Sequence, residues 1–138
     1  MFAIVGAGGT VITSTDGVNW TVQSTPIRTP LYFVHDNGTQ WVAVGSNGVV
    51  LTSPDGVNWT LQSTPVTTDL RGVHHDGTQW VAVGNSGVVL TSPDAVSWTT
   101  QTTPVTVSLA SVHHNGTQWV VACNSGTILT SPDAVSWT

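Results

Sequence analysis

The sequence predicts an all-β protein in which small antiparallel sheets repeat along the chain. Its 138 residues include 23 valines and 23 threonines, two β-branched residue types that favour strands. Short hydrophobic runs alternate with turn dipeptides such as Asp76-Gly77, which suit tight hairpins. Tryptophan recurs at a fixed interval, which indicates a repeat architecture. We therefore expect strands and tight turns, with no helix.

The repeat length is 39 residues. Trp41, Trp80 and Trp119 are separated by this interval, and Phe2 lies one interval before Trp41. A second series with the same spacing comprises Trp20, Trp59, Trp98 and Trp137. The chain therefore holds about 3.5 repeats, and we expect a single repeat domain over residues 1–138. The predicted units are a partial one at 2–24, complete ones at 31–63 and 70–102, and a partial one at 109–138.

Each complete unit is predicted to form a meander of four strands. In the unit that begins at Leu70, the strands are Leu70–His75, Trp80–Val83, Val88–Thr91 and Trp98–Gln101. Asp76-Gly77 separates the first two strands, a turn bounded by Gly84 and Gly87 follows the second, and a Ser-Pro-Asp corner follows the third. Every link inside the unit has hairpin length, so we expect the strands to pair in sequence order.

Both faces of each predicted sheet are apolar. Runs such as Trp41–Val44 and Val49–Leu51 do not alternate apolar and polar residues, whereas a sheet with one face in water would. Sheets stacked face to face around an axis cover both faces, so the sequence predicts a β-propeller of four-stranded antiparallel blades. A parallel β-solenoid is the alternative, although its rungs rarely need so many hairpin dipeptides.

A partial set of blades leaves sheet edges and apolar faces open, which invites association. We therefore expect a homo-oligomer, for example a dimer, to complete the ring. A four-bladed monomer and a fragment of a longer natural or engineered repeat protein are the alternatives.

The corner after the third strand carries the most specific motif. Its four copies share the pattern Ser-x-Asp-Gly/Ala-x-x-Trp and comprise Ser14, Asp16 and Trp20; Ser53, Asp55 and Trp59; Ser92, Asp94 and Trp98; and Ser131, Asp133 and Trp137. The pattern resembles the Asp-box, or bacterial neuraminidase repeat, of sialidase-like and photosystem II assembly-factor-like propellers. The resemblance implies a structural box between the third and fourth strands of a blade, and a short carboxylate that accepts backbone N–H bonds suits that role. Ala95 and Ala134 depart from the glycine of the family pattern.

Charge and motif content exclude several classes of function. Two arginines, no lysine and a net charge of −5 argue against a nucleic-acid partner, which requires clustered cations. No apolar run is long enough to predict a membrane span. Sialidase-like catalysis is disfavoured because Arg28 and Arg71 occupy non-equivalent repeat positions, Tyr32 is the only tyrosine, and glutamate is absent. We expect no enzymatic activity, no cofactor and no metal.

The histidines are the main polar feature that the predicted fold does not explain. His35, His74 and His113 recur at the repeat interval. At the end of an inner strand they would form a quasi-symmetric set near the axis, able to bind a metal or an anion. The alternative, which we favour, is a histidine hydrogen-bonded beside the hairpin turn. The full candidate ligand-binding set is His35, His74, His113, His75, His114, Asn37, Asp76 and Asn115.

The predicted function is a non-enzymatic, lectin-like binding module for carbohydrate. Equivalent loops around a ring present weak sites that combine by avidity, and aromatic rings beside Asp, Asn or Thr suit sugars. The predicted location is between blades, at the Thr-Pro loops of Thr25, Thr64 and Thr103 and the Asn/Asp-Gly turns. The alternative is a structural or protein-interaction scaffold without a small-molecule ligand. The expected partners are thus other copies of the chain and glycans.

Overall fold

The computed structural model describes all 138 residues, Met1–Thr138, and contains fourteen strands in four antiparallel sheets. The first sheet comprises β1 (Phe2–Val5), β2 (Val11–Ser14) and β3 (Thr21–Gln23). The second comprises β4 (Leu31–Asp36), β5 (Trp41–Gly45), β6 (Val50–Ser53) and β7 (Thr60–Gln62). The third comprises β8 (Leu70–His75), β9 (Trp80–Gly84), β10 (Val89–Ser92) and β11 (Thr99–Gln101). The fourth comprises β12 (Leu109–His114), β13 (Trp119–Cys123) and β14 (Ile128–Ser131). The prediction of an all-β fold built from repeated antiparallel sheets is confirmed.

Strands pair in sequence order within every sheet. In the third sheet, for example, Trp80 lies opposite both His75 and Ser92. The strands β4, β8 and β12, called the inner strands below, contact one another from sheet to sheet. The first sheet lacks an inner strand, and the fourth lacks the outer strand that β7 and β11 provide. Thr138 pairs with β14 at the position equivalent to the start of β7 and β11, since Thr130 and Thr138 exchange two backbone hydrogen bonds of 2.8 and 3.0 Å.

The structure differs from the expectation of no helix at the link between the second and third strands of each blade. A single 3₁₀ turn lies there in every sheet, at Ala7–Gly9, Ser46–Gly48, Asn85–Gly87 and Asn124–Gly126. Its middle residue has a positive φ, as at Asn47 (59°). The next residue, Gly48, lies so close to the Val66 carbonyl that a side chain would collide with it. The link is therefore a tight corner held against the loop that leads to the next sheet.

Four strand boundaries of the third sheet also differ from the prediction by one residue. β9 ends at Gly84 instead of Val83, β10 spans Val89–Ser92 instead of Val88–Thr91, and β11 begins at Thr99 instead of Trp98. Trp98 belongs to the corner because its indole N–H donates to the Ala95 carbonyl at 3.0 Å.

A hydrophobic cluster fills each junction between neighbouring sheets. The junction of the second and third sheets contains Val42, Val44, Val50, Leu70, Val73, Trp80, Ala82, Leu90, Ala95 and Trp98. Equivalent residues join the third and fourth sheets, and a smaller cluster around Val11, Leu51 and Trp59 joins the first and second. Both faces of the second and third sheets are therefore covered. This explains why their strands do not alternate apolar and polar residues.

The two end sheets each keep one face open. Ile4 in the first sheet is 50% exposed and Ile128 in the fourth is 64% exposed. None of the three hydrophobic clusters joins these two sheets. The structure also contains no helix with the length and hydrophobicity needed to cross a bilayer.

Candidate binding sites at the two ends of the inner strands

The four corner motifs form closed hydrogen-bonded turns. In the second sheet, the Asp55 Oδ1 atom accepts the backbone N–H groups of Val57 at 2.9 Å and Asn58 at 2.8 Å. The Ser53 hydroxyl donates to Asp55 at 3.0 Å and accepts the Gly56 N–H at 2.8 Å. The Asp16, Asp94 and Asp133 carboxylates accept the equivalent pairs of N–H groups. The polar atoms of these motifs are therefore engaged within their own turns.

These hydrogen bonds stabilise the ionised carboxylates. The pKa of Asp55 lies below its usual 3.8, first because the Asn58 backbone N–H donates to it. The Ser136 backbone N–H acts in the same way at Asp133 and lowers its pKa to about 2. The pKa values of Asp16 and Asp94 are lowered as well. Each carboxylate thus keeps its charge, and its role as an acceptor, at neutral pH.

Three histidine rings pack in a row along the ends of the inner strands, tilted by 39° and 53° to one another. The ring centroids of His35 and His74 lie 4.4 Å apart, and those of His74 and His113 lie 4.7 Å apart. His35 and His74 also meet the indoles of Trp80 and Trp119 edge-on, at 5.8 and 6.0 Å. We call His35, His74 and His113 the histidine ladder. It runs from sheet to sheet because all three side chains occupy one repeat position.

Burial keeps the middle of the ladder neutral. Together with the neighbouring imidazoles of His35 and His113, it lowers the pKa of His74 from 6.5 to about 4. Burial also lowers the pKa of His35. Adjacent imidazolium ions at these distances would repel each other, so the packed ladder favours the uncharged rings. The structure contains no group of three or more His, Cys, Asp or Glu side chains arranged to hold a metal ion.

The other candidate ligands have local roles in the hairpin turns. His75 packs at a tilt against Trp80 with 4.7 Å between ring centroids, and its Nδ1 accepts the Gly77 N–H at 3.0 Å. His114 contacts Trp119 and Gly116 in the same way. The side chains of Asn37, Asp76 and Asn115 accept backbone N–H groups of their own turns. Of the eight candidates, only the three ladder histidines lack such a turn contact.

The Thr-Pro loops and the Asn/Asp-Gly turns lie at opposite ends of the blades. The antiparallel strand order places the Asn/Asp-Gly turns, the corner motifs and the ladder at one end, and the 3₁₀ turns and Thr-Pro loops at the other. The Thr64 hydroxyl holds its loop there by donating to the Gly48 carbonyl at 2.7 Å. A single site between blades, as expected from the sequence, therefore cannot use both sets.

A polar cluster that the sequence analysis missed lies at the Thr-Pro end. Arg71 packs its guanidinium carbon 4.4 Å from the centroid of the Tyr32 ring. Its side chain donates to Asp69 and to Asn85, each at 3.3 Å. Tyr32 is in turn hydrogen-bonded to Ser46 at 2.7 Å. We call Tyr32, Ser46, Asp69, Arg71 and Asn85 the arginine cluster.

A cavity of about 400 Å³ adjoins the arginine cluster between the third and fourth sheets. It is lined by Arg71, Asn85, Ser108, Leu109, Ala110 and Asn124. Tyr32, Arg71 and Ala110 occupy one repeat position, and the small Ala110 leaves space where its equivalents carry long side chains. The repeats are otherwise similar in sequence, so the different residues at this one position are the sequence signal from which the site could have been predicted.

The comparisons with known proteins support the fold and little else. No protein-family model matches the chain, and no curated protein matches it. Among solved structures, the fold is similar to that of the protein described as "YCF48 bound to D1 peptide", with a TM-score of 0.77 and 18% sequence identity. The match covers 98% of this chain and 47% of that chain, so this chain spans about half the length of that protein. The similarity shows that the four sheets have a β-propeller-like arrangement.

Proposed function

We propose that this protein is a non-enzymatic interaction module that binds an extended peptide segment at the arginine cluster. The observation that carries the proposal is the divergence of one repeat position into Tyr32, Arg71 and Ala110, with a cavity beside Arg71. The same position in identical repeats would present identical surfaces. Here it presents an aromatic ring, a cation and an open space in succession.

The chemistry of the cluster suits a peptide. Arg71 is fixed by Tyr32, Asp69 and Asn85, yet 40% of its side chain remains exposed. A guanidinium carries five N–H donors, so it retains donors for a peptide carbonyl or carboxylate. A cavity of about 400 Å³ lies in the size range of ligand pockets and can accept a side chain of the partner. Prior fixation of Arg71 reduces the entropy lost on binding.

The comparison supports this class of partner over carbohydrate. The structurally similar YCF48 is described as bound to a peptide. The residues first considered for sugar binding at the opposite end are largely engaged in their own turns. We therefore prefer the protein-interaction scaffold to the lectin-like module.

We also propose that the chain is one Asp-box repeat domain over residues 1–138. The four closed turns at Asp16, Asp55, Asp94 and Asp133 support this assignment, since each carboxylate accepts the equivalent pair of backbone N–H groups. The motif accounts for the architecture, while the arginine cluster would account for the binding.

A displayed library of random peptides, panned on the immobilised protein, tests the function. We expect enriched peptides whose affinity, measured by fluorescence anisotropy, falls at least about 10-fold in Arg71→Ala, because a lost charged hydrogen bond costs about 1.5–3 kcal/mol. Arg71→Lys should recover only part of the affinity, since an ammonium lacks the planar fork that stacks on Tyr32.

Arg28→Ala is the matched control. Arg28 is the other arginine of the chain, and its Nη1 donates to the Ile27 and Thr25 carbonyls at 2.9 and 3.3 Å. We expect its removal to leave peptide affinity unchanged. Failure to enrich any peptide, or equal losses in both variants, would overturn the proposed site. Binding to a glycan array with competition by free sugar would favour the lectin-like alternative.

A further inference from the structure

The open faces of the two end sheets carry most of the residue positions that form the internal junctions, except those of the inner strand that the first sheet lacks, such as the equivalents of Leu70 and Val73. On the first sheet, Phe2 and Ile4 are 55% and 50% exposed, and Trp20 is 37% exposed. Their equivalents in the third sheet, Trp80, Ala82 and Trp98, are only 1%, 0% and 9% exposed because the second sheet covers them.

The fourth sheet shows the other half of this junction. Ile128 is 64% exposed, whereas its equivalents Val50 and Val89 are 0% exposed. Ala122 is likewise exposed, although its equivalents Val44 and Val83 are fully buried under the following sheet. The open face of the fourth sheet is thus equivalent to the face with which the second and third sheets each pack on the following sheet. The open face of the first sheet is equivalent to the opposite face, with which the second and third sheets pack on the preceding sheet.

The two open faces have complementary side-chain sizes: where one face carries a smaller residue than the internal junction, the other carries a larger one. The internal junction of the second and third sheets combines Val44 on one side with Ala82 on the other. At the open faces, the equivalent of Val44 is the smaller Ala122 on the fourth sheet, and the equivalent of Ala82 is the larger Ile4 on the first sheet. A large residue on one face therefore compensates for a small one on the other. This preserves the packed volume that protein interiors require.

We propose that the fourth sheet of one chain packs on the first sheet of a second copy, in a contact that resembles the internal junctions except for the missing inner strand. The contact is head-to-tail, so two different surfaces meet and each chain keeps one free surface for another copy. Neither face places an Asp or Arg side chain at the junction positions given above, and burial of uncharged surface stabilises the contact. Two such contacts would close a dimer of eight sheets, within the size range of propellers.

This inference is independent of the proposed peptide site, and the mass of the protein in solution tests it. Sedimentation velocity over a concentration series should give twice the chain mass of 14.4 kDa for the 138-residue chain. Ile128→Asp should weaken association at least about 100-fold, because a buried carboxylate without a partner is costly. The matched control is Val135→Asp, since Val135 is 50% exposed and its equivalents Val18, Val57 and Val96 are exposed as well.

Mixing two variants tests the head-to-tail geometry. Ile4→Asp and Ile128→Asp should each be monomeric, with unchanged far-ultraviolet circular dichroism. Their mixture should form a heterodimer and nothing larger, because it contains one intact surface of each kind. A monomeric unmodified chain, association that survives Ile128→Asp, or a mixture that stays monomeric would overturn the proposal.

Discussion

The corner tryptophans of the first and second sheets show what is encoded locally and what depends on a neighbour. Trp20 and Trp59 occupy the same motif, and both indoles donate to the carbonyl of the motif glycine, at 3.3 and 2.9 Å. Trp59 is nonetheless only 8% exposed, and Trp20 is 37% exposed. The first sheet covers Trp59, whereas no sheet of the structure packs over Trp20. The turn is thus a property of the motif, whereas burial of its tryptophan is a property of the stack.

The largest difference is expected when these two tryptophans are removed in turn. Trp59→Ala should lower the free energy of unfolding by about 3–5 kcal/mol, since it leaves a cavity at a packed junction. Trp20→Ala should cost about 1–2 kcal/mol in the monomer, because less apolar surface is buried there. Urea unfolding, followed by tryptophan fluorescence and by circular dichroism, measures both effects. Equal losses of stability in the two variants would contradict the inference that burial of the corner tryptophan depends on the neighbouring sheet.

A second contrast concerns a close approach of two backbones. A Cβ atom at Gly84 would collide with the Asp69 carbonyl, yet the equivalent residue of the fourth sheet is Cys123. Cys123 is accommodated by a different backbone, with φ −104° instead of −163°. Gly84→Ala should therefore cost about 1–3 kcal/mol through overpacking. Cys123→Ala should cost about 1 kcal/mol or less. Thermal unfolding of the two variants measures both losses, and equal losses would show that the close approach at Gly84 tolerates a side chain as well as the site of Cys123 does.

The smallest expected effect is the pH dependence of the histidine ladder, which exists only where inner strands stack. The pKa of His74 is about 4 in the folded chain and 6.5 in the reference state, so the unfolded chain binds a proton first. Stability is therefore greatest above pH 6.5 and falls as the pH is lowered towards 4. The loss from His74 should reach about 1–2 kcal/mol after allowance for partial solvation.

Unfolding midpoints at several pH values between 7.5 and 4.5 measure this effect. His74→Gln should flatten the decline, because glutamine occupies the site without a titratable group. A decline that keeps its full slope in His74→Gln would place the acid sensitivity elsewhere.

The sequence predicted the sheets well because their signals are local. The 39-residue spacing, the turn dipeptides and the corner motifs are all readable within a few residues, and β8 has the predicted bounds Leu70–His75. The 3₁₀ turns were missed because the positive φ of residues such as Asn47 accompanies a contact between Gly48 and a distant loop carbonyl. The Asn47-Gly48 dipeptide indicates a turn at that link, but it does not indicate the tertiary contact that tightens the turn.

The candidate sites were harder to predict because they depend on contacts between repeats. The recurrence of His74 singled it out, but its ring contact with His35 requires the inner strands of two sheets to be adjacent. Arg71 was set aside because it has no equivalent arginine. Its partners Tyr32 and Asn85 lie in different strands and turns, so only the folded chain brings them together.

The variable residues of the arginine cluster and its cavity are different from the residues that hold the sheets together. Tyr32, Arg71 and Ala110 lie outside the three clusters that hold the sheets together. Substitutions at this position can therefore accumulate after duplication of a repeat without loss of the fold. Binding specificity can therefore change without a change in the fold, because each added copy of the repeat supplies one more surface residue at this position that can vary.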